Sequence, residues 1–190
     1  MINEKGIIIV VEGPSGVGKD AVIKELIKKY PNTFVKVPST TSRAMRVGES
    51  QGSPYYFVNE STFKTMLDSG EIFEHTFRHG QYRGMSKHLF DDVLSKKLFP
   101  VKDCDLIGVN ALRNVYANKV FTIFVTCPKA EIERRLFGRG DKGEDLKTRL
   151  NNFDEYIKNA KYFDVVIENI DLDVAVDNVY NAIADFYEKC

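Results

Sequence analysis

Residues 13–19 read Gly13-Pro14-Ser15-Gly16-Val17-Gly18-Lys19, which fits the pattern G-x-x-x-x-G-K. Glycines at this spacing let backbone N–H groups turn inward around phosphate oxygens. A helix starting at the last glycine adds the positive end of its dipole. Lys19 supplies a mobile point charge suited to a phosphoryl group in transfer. Asp20 departs from the usual pattern, standing where a Ser or Thr hydroxyl would meet Mg²⁺. Two readings of Asp20 stay open. Its carboxylate holds Mg²⁺, directly or through water, or it complements the dipole as an acid in the first helical turn. Without the metal, a carboxylate here repels a polyphosphate, so strict Mg²⁺ dependence is expected.

Such a loop needs a strand before it and a helix after it. Ile7 to Val11 is a β-branched run of the kind buried on both faces of a parallel sheet. Val22, Ile23, Leu26, Ile27 and Tyr30 repeat at helical spacing, and Pro31 ends the helix. From Phe34 to about Val101 the pattern changes. Short strands are predicted at Phe34–Val37, Tyr55–Val58 and Ile72–Phe77, with helices near Thr62–Ser69 and Lys87–Lys97. This stretch reads as an inserted antiparallel subdomain. Strands then follow at Phe99–Cys104, Val120–Thr126 and Val165–Ile167. Helices are predicted at Glu131–Phe137 and Glu144–Lys161, with a glycine-rich break from Gly138 to Gly143. Val176, Val179, Tyr180, Ile183 and Tyr187 mark the last helix. The alternation predicts an α/β fold, a parallel sheet flanked by helices on both faces. It reads as one domain with a core of about 1–33 and 99–190 and an insertion of about 34–98.

The chain has 190 residues, with 27 Lys plus Arg against 27 Asp plus Glu, so its net charge is zero. This argues against bulk attraction to nucleic acid or anionic membrane. Hydrophobic residues at 43% suit a globular core rather than a disordered chain. No apolar run reaches the ~20 residues that span a bilayer. Met1 to Lys5 carries no signal-peptide pattern, and Cys104, Cys127 and Cys190 have no metal-like pairing. A cytoplasmic location with reduced thiols is expected, and no obligate protein partner is evident. His75, His79 and His88 do not form a metal set, and Asp91-Asp92 with Lys96-Lys97 reads as a solvated helix face.

Several runs together resemble the guanylate kinases, over nearly the whole chain from Ile7 to about Ile183. Beyond the glycine loop, Thr41-Ser42-Arg43-Ala44-Met45-Arg46-Val47-Gly48-Glu49, then Gly52, Tyr55 and Phe57, is similar to the family's T-T-R-x-x-R-x-G-E run and its later Y-x-F. Phe73-Glu74, Gly80 to Gly84 and Asp103-Cys104-Asp105 resemble its F-E, G-N-Y-Y-G and D-x-D. Arg135 to Gly140 and Arg149-Leu150 resemble its lid, placed at about 138–149. The resemblance implies an Mg²⁺-dependent transfer from ATP to GMP or dGMP, with small nucleotides as the only partners. It implies that Gly13 to Asp20 hold ATP, with Asn169 at the adenine or as a turn residue after a strand. Arg43, Arg46, Tyr55 and Arg83 would hold the acceptor phosphate, and Ser39, Glu74 and Asp105 would read the base. Asp103 would orient Mg²⁺ through water. Lys19, Arg43, Arg135, Arg139 and Arg149 would neutralise charge as the phosphoryl group moves.

The chemistry of these assignments is coherent. Guanidiniums suit a phosphate dianion, and a carboxylate accepts from both N1–H and the exocyclic amine of guanine. The chain departs from the family at Asp20, at Arg83 for a tyrosine, at Met85 for a base-reading serine, and in a lid one residue short between Gly140 and Arg149. Two alternatives stand beside GMP phosphorylation. One is a kinase of the same fold acting on another nucleoside monophosphate or on ribose 1,5-bisphosphate. The other is a non-catalytic binding module.

Overall fold

The computed structural model describes residues 2–138, 150 and 153–190. Its α-helices are α1 (Lys19–Lys29), α2 (Glu60–Asp68), α3 (Lys87–Ser95), α4 (Leu106–Tyr116), α5 (Lys129–Gly138), α6 (Phe153–Lys158) and α7 (Leu172–Lys189). The main sheet centres on β1 (Ile8–Glu12), buried along its whole length. It is flanked by β7 (Phe99–Asp103) and β8 (Val120–Thr126), with β2 (Phe34–Lys36) beyond β7 and β9 (Val165–Glu168) beyond β8. All four pairings are parallel.

Alternation along the strands divides the core into two layers. Ile9, Val11, Val101, Ile123 and Val125 pack with Val22, Ile23 and Leu26 of α1 and Val176, Val179 and Ile183 of α7. Ile8, Val10 and Phe124 pack on the other face with Phe90 and Val93 of α3 and Val109 and Leu112 of α4. Each aliphatic side chain of β1 removed from water contributes roughly 1.5–3 kcal/mol. Tyr30 stacks on Tyr180 at 4.2 Å and joins the end of α1 to α7.

The second sheet holds β3 (Ser39–Thr41), β4 (Tyr55–Phe57), β5 (Ile72–Arg78) and β6 (Gln81–Ser86), in the order β4-β3-β6-β5. The β5–β6 hairpin turns at His79 and Gly80, both at positive φ (53° and 72°), as a two-residue type I′ turn requires. Two expectations are corrected here. The strand predicted at Phe34–Val37 belongs to the main sheet, with Phe34 opposite Phe99, rather than to the insertion. Strand pattern does not name a partner, and Phe34 is drawn into the core beside the ring of Phe99 at 5.4 Å. The second sheet is mixed rather than antiparallel, because β3 and β4 run parallel.

The expected break at 138–143, the lid, and the start of the helix from Glu144 lie largely outside the described residues. Among the described residues, no helix is long and apolar enough to cross a membrane. The carboxyl ends of β1, β2 and β7 meet where the strand order reverses, the place where open α/β sheets form their ligand crevice.

Candidate active site

The loop Gly13 to Gly18 joins β1 directly to α1. Gly18 caps the helix in the left-handed region at φ 89°, and a Cβ there would lie 2.6 Å from Asn169 Nδ2. A Cβ on Gly13 would collide with the Val125 carbonyl. Ser15, Gly16, Gly18, Lys19, Asp20 and Arg135 line a 440 Å³ cavity over the start of α1. Pro14 and Val17 complete the loop, with the Val17 side chain fully buried. The Lys19 ammonium forms no hydrogen bond or ion pair among the described residues, so it is free to meet an anion.

Behind the loop, the Val17 carbonyl accepts from Asn169 Nδ2 at 2.8 Å and from Arg135 Nη1 at 3.0 Å. Arg135 also donates to Glu131 at 2.6 Å and to the carbonyls of Asn169 and Ile170. Arg134 and Arg135 hold the Glu131 carboxyl down to about 2. Asn169, 3% exposed, sits beneath the loop as a brace.

Two carboxylates gather on one lysine beside this cavity. Lys36 Nζ, at the end of β2, lies 3.6 Å from Asp20 and 3.5 Å from Asp103. Two carboxylates converging on one cation are a donor set that fits Mg²⁺. That ion takes one or two carboxylates, keeps several waters and takes the rest of its ligands from phosphates. Among the described residues, no cluster of three or more His, Cys, Asp or Glu forms a closed metal cage. Glu12, which the sequence reading passed over, ends β1 with 7% exposure. Burial pushes its carboxyl up to about 7, opposed chiefly by Lys19 and the Gly13 N–H.

A second cavity, of 340 Å³, lies against the small sheet. Its lining includes Ser39, Tyr55, Glu74, Arg83, Asp103 and Asp105, so the structure brings these predicted residues together. Burial and the charge of Asp105 push the Glu74 carboxyl above the usual range. Asp105 also caps α4, its Oδ1 accepting from Gly108 N at 3.0 Å. The Arg83 guanidinium lies 4.6 Å from the centre of the Tyr55 ring. Arg43 faces the same ring at 5.4 Å, but its Nη2 is held by Glu49 at 2.7 Å. Glu49 accepts the Arg46 N–H as well, which folds the segment from Arg43 to Glu49. The Arg46 side chain stands exposed and off the cavity lining. Burial pushes the Cys104 thiol, also in the lining, well up, which suits an inert wall rather than a nucleophile.

A phosphate cradle beside an acidic, arginine-edged cavity is thus in place. The sequence model described as guanylate kinase matches residues 5–186. The chain belongs to the guanylate kinase family. It is 33% identical to the guanylate kinase of Anaplasma phagocytophilum strain HZ over 185 residues, 96% of this chain and 88% of that protein. It is 35% identical to that of Carboxydothermus hydrogenoformans over 177 residues, 92% of this chain and 86% of that protein. The crystal structure of the A. phagocytophilum guanylate kinase matches at a TM-score of 0.67 and 28% identity, covering 95% and 85% of the two chains. A gluconokinase from Sinorhizobium meliloti 1021, 15% identical with a TM-score of 0.51, shares the fold alone.

Of the residues expected by likeness to guanylate kinases, Arg139 and Arg149 lie outside the described residues. Glu12, Lys36 and Lys102 are charged groups at the site that the sequence reading did not single out. The available signal was a charge inside or ending an otherwise apolar strand: Glu12 after Ile8–Val11, and Lys102 after Val101.

Proposed function

We propose that this protein transfers the γ-phosphoryl group of Mg²⁺–ATP to the 5′-phosphate of GMP or dGMP. The observation that carries the reading is that Lys36 links Asp20, which lines the loop cavity, to Asp103, which lines the cavity against the small sheet. The glycine loop with Lys19, whose ammonium has no hydrogen-bond or ion-pair partner among the described residues, lines one cavity with Asp20, and Glu74 and Asp105 line the other with Asp103.

The bond between the γ-phosphorus and the β,γ-bridging oxygen breaks, and its electrons stay with ADP. A new bond forms to an oxygen of the GMP phosphate, giving GDP. That oxygen is already anionic, so no side chain need take a proton, and catalysis is positioning plus charge neutralisation. The loop N–H groups and Lys19 hold the donor phosphates. Tyr55, Arg83 and Arg43 face the acceptor phosphate, Arg43 exchanging its Glu49 contact for the dianion. Glu74 accepts N1–H and the amine of guanine. Adenine has no N1 hydrogen and would turn a lone pair toward that carboxylate. Asp20 and Asp103 would hold Mg²⁺ partly through water, which supplies charge compensation for the β- and γ-oxygens. Three free cysteines suit a reducing compartment, and we place the protein in the cytoplasm.

The test is ADP release with Mg²⁺–ATP across GMP, dGMP, AMP, CMP, UMP, dTMP and ribose 1,5-bisphosphate. Turnover confined to GMP and dGMP is the expected result. Turnover on another acceptor alone would replace the substrate assignment while leaving the chemistry.

A further inference from the structure

Lys102 is a cation placed where its strand is otherwise apolar. It lies in β7 opposite Val10, and its side chain enters the layer that holds Ile8, Val10, Met85 and Phe90. Only 4% of the residue is exposed. An ammonium in such a layer is costly unless its hydrogens find acceptors. Nζ donates to the Ser39 hydroxyl at 2.8 Å and to the Val37 carbonyl at 3.3 Å. Burial pushes the Lys102 ammonium below the usual lysine range, and the nearby carboxylates of Asp103 and Glu74 oppose that by favouring the charged form. It closes no ion pair among the described residues. An ammonium has three hydrogens. Two are placed, and the third has no acceptor among the described residues.

Lys102 also lines the acceptor cavity with Ser39, Glu74, Met85 and Asp105. A 6-oxopurine presents three groups along one edge: the 6-oxygen, N1–H and the 2-amine. Glu74 answers the two donors. The oxygen beside them needs a donor, and Met85, 2% exposed in the same lining, has none to offer. We propose that Lys102 is a specificity-determining residue whose third ammonium hydrogen is given to the 6-keto oxygen of the bound base. The inference rests on the GMP reading above and adds the residue that reads its oxygen edge. A 6-aminopurine would turn an N–H donor toward the same ammonium, so Lys102 rejects adenine as well as accepting guanine.

The test compares GMP with its 6-thio analogue, which keeps N1–H and the 2-amine but replaces the oxygen with a poorer acceptor. Wild type is expected to favour GMP by about tenfold or more in kcat/KM, the scale of a hydrogen bond from a charged donor. Lys102→Met should bring that ratio close to one, mainly through KM. Adding Met85→Ser to Lys102→Met should restore part of the preference. Lys102→Met also removes the donor to the Ser39 hydroxyl and the Val37 carbonyl, so thermal melting of each variant checks folding. Lys102→Gln, with an amide donor, provides a second route and should give an intermediate ratio. Loss of GMP and the analogue in equal proportion would make Lys102 a structural residue and overturn the inference. Failure of wild type to phosphorylate GMP would overturn the substrate reading itself, a different result from an unchanged ratio in an active enzyme.

Discussion

Asp105 Oδ1 accepts the backbone N–H of Gly108 at 3.0 Å, so the acid expected to read the base is also the N-cap of α4. The two duties separate by substitution. Asp105→Ala loses the cap and should cost about 0.5–2 kcal/mol of stability. Asp105→Asn keeps a capping oxygen and should unfold like wild type. Both should lose GMP kcat/KM. Urea unfolding beside steady-state kinetics checks the pair, and equal destabilisation by Ala and Asn would contradict the cap.

Glu74 faces the acceptor cavity, half-buried, beside Asp105. Glu74→Gln removes the charged acceptor for N1–H and the amine, and a lost buried charge-assisted pair costs about 2–5 kcal/mol. A fall of about 30-fold or more in kcat/KM for GMP is expected, with ATP affinity unchanged. The raised pKa of Glu74 adds a pH signature. Its carboxyl protonates at a higher pH than an ordinary glutamate, so KM for GMP should rise as pH falls through that range. The Gln variant should lack this rise.

Lys19 has no hydrogen-bond or ion-pair partner among the described residues, so its removal should leave the fold intact. Lys19→Met should lower kcat by about 10²–10³, the usual effect of deleting one donor aimed at developing charge. Its melting temperature should stay within a few degrees of wild type. A large stability loss with modest kinetic loss would reverse the assignment.

Glu12 gives a pH dependence of stability. Its carboxyl titrates at about 7 when folded, against 4.5 ordinarily, so the folded state binds this proton more tightly. Stability from this group is fully present below 4.5 and falls as pH rises toward 7. Glu12→Gln cannot titrate. Across that window the variant should gain on wild type by about 2–3 kcal/mol. Urea midpoints without nucleotide, taken from pH 4.5 to 8, provide the measurement, and parallel profiles would refute it.

The main sheet was legible because β1 and β8 are short, mostly apolar runs rich in β-branched residues and bounded by turns, which favours buried strands over helices. The loop was legible because its glycines and lysine have fixed spacing. The small sheet was only half legible. β3 reads Ser-Thr-Thr and β6 contains Arg83 and Gly84, so neither shows apolar alternation, and pairing to neighbours makes them strands. α4 was missed because Gly108, Asn110 and Asn114 dilute its helical signal, while Leu106, Val109 and Leu112 still pack it. At the site, sequence named many of the residues that line the two cavities but not the partners they meet at rest. Glu49 on Arg43 and Lys36 between two aspartates depend on distances that no spacing reveals.

The Val17 carbonyl is gripped from behind by Arg135 and Asn169, both far along the chain. In a trans peptide the oxygen and the following N–H point opposite ways, so fixing one aims the other. The Gly18 N–H is thereby turned away from the carbonyl that Arg135 and Asn169 hold. The loop is tied to the completed fold through residues distant in sequence. Its ordering entropy is spent during folding, so any ligand of the loop would meet a cradle that is already preorganised.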